Sequence, residues 1–177
     1  MPEPEEMLRQ TMRTEASNVI EDASHSSKGH WNAAASTGAL HYWLGLPAAV
    51  LAAVSGGSAL ADQKELAGAL AFLSAALAAV VTFVNAEKRS AEHKAAGDSY
   101  SALKNEARHF REIELASSND FEQVQTRLKE LFKRRDELNR ASPGIPNKAF
   151  ERARRGIEQG EDKYAADAAQ AGTHPGR

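Results

Sequence analysis

The sequence predicts an all-α membrane protein, and three observations carry that prediction. Two stretches, residues 42–61 and 66–86, run without a charged side chain. Alanine is abundant, aromatic residues make up only 6% of the chain, and no segment alternates with period two over a useful length. The flanking segments carry apolar residues at steps of three and four, the helical repeat. The expected architecture is a two-helix transmembrane hairpin, preceded by an amphipathic N-terminal helix and followed by a C-terminal cytosolic helical bundle.

Residues 1–39 form the expected N-terminal cytosolic helix. Met12, Ala16, Val19, Ile20, Ala23, Trp31 and Ala34 fall close to one face, with Glu15, Glu21 and Asp22 turned to water. A helix lying on a membrane surface is usually rich in Lys and Arg on its polar face. This one is acidic, so it reads as a packing helix.

Residues 40–86 form the expected hairpin, with spans at about 42–61 and 66–86. A transmembrane helix needs about 20 mostly apolar residues. The second stretch holds Leu66, Leu70, Phe72, Leu73, Leu77, Val80, Val81, Phe83 and Val84. On an insertion scale these contribute roughly -3 to -5 kcal/mol before polar penalties. The first stretch has fewer strong residues and contains Pro47, Gly56 and Gly57, so alone it is marginal. Residues 62–65 separate the two, which forces them to run antiparallel. The alternative is a buried hairpin inside a soluble bundle. Trp31, His41, Tyr42 and Trp43 fit an interfacial aromatic belt and favour the membrane.

Lys88, Arg89, Lys94 and Lys104 follow the second span, Lys28 precedes the first, and the connecting loop has only Lys64. By the positive-inside rule both termini are expected in the cytoplasm. The first forty residues are polar and acidic, so no cleavable signal peptide is expected.

Residues 87–170 form the expected cytosolic region, with helices at about 87–116, 120–141 and 147–168, and residues 171–177 are expected to be a disordered tail. Ala96, Tyr100, Leu103, Ala107, Phe110 and Glu114 make a short coiled-coil-like seam. Asn119 with Glu122 resembles a capping box opening the next helix. That helix carries Phe121, Val124, Leu128, Leu131 and Leu138 at heptad-like spacing and stops where Pro143, Gly144 and Pro146 exclude helix. The last helix presents Phe150, Ala153 and Ile157 on one side.

Composition narrows the chemistry. The net charge of -2 gives no basic signature, so no nucleic-acid partner is expected. Cysteine is absent, which removes disulfides and thiolate sites and suits a reducing cytosol. The mean hydropathy of -0.51 averages two apolar stretches against heavily charged flanks. Glu106 and His109 have the Glu-x-x-His spacing of di-iron bundles, but a second such pair is missing and no metal site is expected. His25 and His30 are spaced wrongly to share a helix face. No phosphate loop or nucleophile elbow occurs, so the chain is not expected to be an enzyme or to carry a cofactor.

Two sets of candidate site residues remain. Ser55 and Ser58 on the first span, with Ser74, Thr82 and Asn85 on the second, read either as packing glue or as a pore lining formed on oligomerisation. Small residues Ala67, Ala71, Ala75 and Ala79 recur every fourth position, which allows close helix approach. Beyond the membrane, Arg134, Arg135, Arg154 and Arg155 stand out in a basic cluster with Lys133, Arg140 and Arg152. They read either as a solvated face balanced by Glu130, Asp136, Glu137 and Glu151, or as contacts for anionic lipid headgroups or a phosphate-bearing ligand.

Certain stretches carry a resemblance. They are His30-Trp31 before the hairpin, His93-Lys94-Ala95-Ala96 through Tyr100-Ser101-Ala102-Leu103 after it, and Arg135-Asp136-Glu137-Leu138 leading into Ser142-Pro143-Gly144-Ile145-Pro146. Ala149, Ala153 and Ile157-Glu158-Gln159-Gly160 follow. From about residue 16 to 164 the chain resembles the SLATT family, the SMODS- and SLOG-associating two-transmembrane effectors of bacteria. The resemblance implies a homo-oligomeric effector of the bacterial inner membrane in an antiphage conflict system. It would form a lipid-disrupting pore when a nucleotide second messenger is made. Reception of that signal would fall to a separate sensor protein or to the cytosolic helices themselves. The alternatives are a membrane-anchored helical scaffold without pore activity and a soluble all-α interaction module.

Overall fold

A computed structural model describes residues 4–161, and no strand occurs among them. The order is α1 (Pro4–Leu60), α2 (Lys64–Val84), α3 (Ala86–His109), a π-helical turn (Phe110–Glu114), α4 (Leu115–Ser117), α5 (Phe121–Ala141) and α6 (Asn147–Glu158). The N-terminal helix and the first apolar span, expected as separate elements, are one continuous helix. Between Trp31 and Pro47 the sequence offers no breaker stronger than Gly38 and Gly45, and Pro47 itself is accommodated inside α1. α6 ends at Glu158, short of the expected 168. Residues 162–168 of that expected helix, and the expected disordered tail 171–177, lie outside the described residues.

The chain divides into two compact units, one of residues up to Asn32 and from Ala95 onward, the other Ala33–Lys94.

The first unit buries an unbroken apolar core. Met12, Ala16, Val19 and Ala23 of α1 meet Tyr100, Leu103, Ala107 and Phe110, with Leu115, Val124, Leu128 and Leu131 completing it. The expected seam of α3 holds as far as Phe110 and then changes register. The turn Phe110–Glu114 is π-helical, and the Leu115 amide donates to the Phe110 carbonyl. This wider turn carries one extra residue. It rotates Glu114 off the seam and brings Leu115 onto it, 2% exposed. Glu114 instead faces Arg127 at 3.6 Å and His109 at 3.7 Å.

α5 begins one residue later than the capping signal suggests. Its N-cap is Asp120, whose Oδ1 accepts from the Gln123 amide at 3.1 Å, so Asn119 and Glu122 are not the capping pair. Asp is as good an acceptor as Asn at this position, and the neighbouring polar residues competed for it. Along α6 the buried face is Ala149, Ala153 and Gly156, while Phe150 is 43% exposed. The smaller residues win because they let the helix approach α1 closely: the Asn32 side-chain amide donates to the Ala149 carbonyl at 3.4 Å.

The second unit is built differently. The last part of α1 and α2 run antiparallel, joined by Ala61, Asp62 and Gln63. Asp62 adopts a left-handed conformation (φ 61°). The Gln63 amide donates to Ser58 at 2.9 Å and the Asp62 amide to Ala59 at 3.2 Å. This is a Schellman closure with Asp where Gly is usual. At the other end of α2, Asn85 is also left-handed (φ 47°), marking the boundary with α3.

Only 11% of the most apolar window of each long helix is buried. Tyr42, Trp43, Leu46, Phe72 and Phe83 are all exposed, Phe83 at 96%. A core helix of a water-soluble bundle hides such residues. Helices that are apolar all round and face outward match a lipid solvent. α2, with 21 residues, is roughly 31 Å long at 1.5 Å per residue, the thickness of a bilayer's hydrocarbon layer.

Candidate functional site

Three serines hold the apolar unit together, each donating to an alanine carbonyl on the opposing segment. Ser90 reaches Ala34 at 2.8 Å, Ser74 reaches Ala48 at 2.7 Å and Ser55 reaches Ala67 at 2.8 Å. Between the last two bonds the first helix advances seven residues, Ala48 to Ser55, while the second steps back seven, Ser74 to Ala67, as an antiparallel pair demands. Gly38 admits Ser90 closely, its α-carbon lacking the methyl that would sit 3.1 Å from the Ser90 hydroxyl.

Of the five candidate residues within the apolar stretches, Ser55 and Ser74 are thus buried and engaged between helices. Ser58 is half-buried and its carbonyl closes the turn. Thr82 is exposed and donates only to Ala78 of its own helix at 2.9 Å. Asn85 is exposed and caps α2. They do not form one polar stripe. Removing both engaged hydroxyls, Ser55→Ala with Ser74→Ala, should weaken the helix pair by about 0.6 kcal/mol each, and at most ~1.7. Detergent-titrated unfolding in mixed micelles measures this.

The four candidate arginines also separate. Arg134 bonds Glu106 at 2.6 Å, linking α5 to α3 beside Arg127, which reaches Glu106, Glu114 and Glu130. Arg135 lies 3.5 Å from Asp22 and over the Phe132 ring. Arg154 pairs with Glu151 and Glu158 along α6. Arg155 makes no ion pair among the described residues and lines a cleft. Glu106, the acidic half of the di-iron-like spacing, is engaged by these arginines, and among the described residues no three metal-binding side chains gather.

A tight collar surrounds the end of the α1 segment in the first unit. Gly29 seats Ile145, whose Cδ1 would lie 3.0 Å from any added β-carbon. His30, 2% exposed, stacks on Tyr100 with ring centroids 5.5 Å apart. Tyr100 then donates through its hydroxyl to Asn139 at 2.8 Å. Burial raises the Tyr100 pKa above its ordinary value, against a smaller opposing effect of Ser142. The Trp31 indole edge rests on Gly97 and donates to Asp98 at 3.0 Å. Trp31 is therefore engaged in the helical unit, leaving His41, Tyr42 and Trp43 as the aromatic group beside the apolar stretch.

His93, at the α3 end of the second unit, is 7% exposed. Its pKa is lowered from 6.5, first by burial and then by Arg89, with Glu92 opposing. Folding disfavours the protonated imidazole, so between its lowered pKa and 6.5 the unfolded chain binds more protons. The contribution of His93 to stability is full above pH 6.5 and falls as the pH drops below it. A melting midpoint followed from pH 8 to 5.5 should decline, and His93→Gln should flatten the decline.

An all-α chain with two outward-facing apolar helices and a separate packed helical unit defines a membrane-associated helical protein. The sequence profile of the SMODS and SLOG-associating 2TM effector domain family 4 matches residues 12–169, and the chain belongs to that family. No curated protein and no solved structure matches it significantly. The family's name describes a two-transmembrane effector associated with SMODS and SLOG partners, which agrees with the two long apolar helices. The collar explains the stretches that carried the resemblance: Gly29 to Asn32 touch Ile145, Tyr100, Gly97 and Ala149 in turn.

Proposed function

We propose that this chain is a non-enzymatic effector of a bacterial antiphage conflict system. It inserts as a transmembrane hairpin in the inner membrane with both termini cytoplasmic, oligomerises, and opens a pore when signalled. The observation that carries the membrane part is the exposure of nearly the whole uncharged surface of both long helices. The orientation rests on Lys88, Arg89, Lys94 and Lys104 after α2 against Lys64 alone in the turn. The helical unit is the region where a nucleotide second messenger or a separate sensor protein would act. The pore itself is inferred from the family and from the fact that two helices alone cannot enclose a water path.

The test is dye release from liposomes containing the purified chain, with and without the partner enzyme's nucleotide product. Release on signalling supports the pore; intact vesicles under every condition sink it. One observation favours a second reading, a membrane-anchored scaffold. Ser55 and Ser74 are already bonded between helices, leaving Thr82 as the exposed hydroxyl of the set. Thr82→Leu leaves those bonds untouched, so a scaffold should tolerate it while a pore lined at that position should lose conductance.

A further inference from the structure

A cleft of about 490 Å³ lies wholly within the first unit, lined by Lys28, Trp31, Asn32, Arg152, Arg155, Gly156, Gln159 and Glu161 among others. Three cations converge on it, and Arg152 and Arg155 have no partner among the described residues. Lys28 has one: its Nζ lies 3.1 Å from the Glu161 carboxylate. That carboxylate is delivered by backbone geometry. Gly160 turns left-handed at φ 85°, its amide donates to Ile157 at 2.9 Å, and the Glu161 amide donates back to Gly156 at 3.0 Å. This Schellman closure folds Glu161 over the end of α6. Gly156 has no side chain, and any β-carbon there would collide with the Glu161 carboxylate.

One wall is aromatic and fixed. Trp31 is 40% exposed, yet its indole edge is pinned by Gly97 and by the hydrogen bond to Asp98. A held indole is a stacking platform for a planar ring. The Arg forks and Lys28 match phosphate oxygens, and the Asn32 and Gln159 amides add neutral donors and acceptors.

We propose that this cleft binds a small phosphate ester carrying a planar ring, a nucleotide-type ligand, and that Glu161 is a built-in competitor whose carboxylate occupies the phosphate position beside Lys28. The ligand's phosphate displaces Glu161 from Lys28 and recruits Arg155 and Arg152, while its ring stacks on Trp31. This deepens the reading above and rests on it only for the consequence at the membrane.

The full chain in zwitterionic detergent, with Trp43→Phe so that Trp31 alone reports, can be titrated with adenosine monophosphate, a cyclic dinucleotide and inorganic phosphate. A nucleotide should quench Trp31 at lower concentration than inorganic phosphate does. Arg155→Glu should raise the half-saturating concentration about tenfold or more, since a charge-assisted hydrogen bond is lost and repulsion added. Glu161→Gln should lower it severalfold. No nucleotide quench at millimolar concentration, equal affinity for inorganic phosphate, or indifference to Arg155→Glu and Glu161→Gln each overturns the proposal. Dye release in the same variants separates the two claims. Binding without release leaves the cleft and sinks the pore, and signalled release that survives Arg155→Glu leaves the pore and sinks the cleft.

Discussion

Phe110→Ala is expected to destabilise the helical unit by about 3–5 kcal/mol, the usual range for truncating a fully buried aromatic. Phe110 is 0% exposed, among the largest wholly buried side chains, and contacts the core from the residue that opens the π-helical turn. Its loss should leave a cavity that the wider turn cannot close, because Leu115 must stay on the seam behind it. Chemical unfolding in micelles in a Trp43→Phe background, followed through Trp31, measures the effect. Deleting Ile113, which is 53% exposed, offers a contrast. The shorter chain can regain a regular helix with Leu115 four residues after Phe110, so the deletion should leave the fold standing.

Gly97→Val is expected to cost about 1–3 kcal/mol, through overpacking rather than through a cavity. A β-carbon at this position would meet Trp31 Cδ1 at 2.6 Å, Trp31 Nε1 at 2.7 Å and the Ser27 carbonyl at 3.2 Å. None can withdraw easily: the indole is anchored by Asp98 and the carbonyl is backbone. Adding Trp31→Ala removes the two nearest clashes, so the double variant should be more stable than the sum of the single losses predicts. A double-mutant cycle on unfolding midpoints decides the matter; strict additivity would mean that Gly97 and Trp31 do not press on each other.

Much of the helical unit could be read from spacing because its apolar residues repeat with the helix. Met12, Ala16, Val19 and Ala23 announce their face, and so do Val124, Leu128 and Leu131. Reading failed where polar residues continue an apolar face. Ser27 and His30 extend the buried stripe of α1 at the same rhythm, yet hydropathy counts them as outward-facing. It failed again at Glu114, since a register change within a helix leaves the composition untouched. The cleft was half visible. Arg155 stood in the cluster, but Lys28, Trp31 and Glu161 come from chain positions far apart, and no linear spacing joins them. Arg134, Arg135 and Arg154 looked equivalent to Arg155 because sequence alone does not reveal which carboxylates lie across the fold.

The closure at Asp62 reaches beyond the shape of a turn. Only Ala61, Asp62 and Gln63 separate two helices whose ends are already tied by local amide hydrogen bonds. Chain entropy therefore opposes their pairing weakly, and in the membrane insertion proposed above the two segments would partition as one solute with a shared transfer free energy. The stretch weakened by Pro47, Gly56 and Gly57 would then cross on the surplus of its neighbour. In the insertion proposed above, Asp62 and Lys64, 3.1 Å apart, would offset each other's charge, leaving Glu65 as the one uncompensated charge of the segment between the apolar stretches.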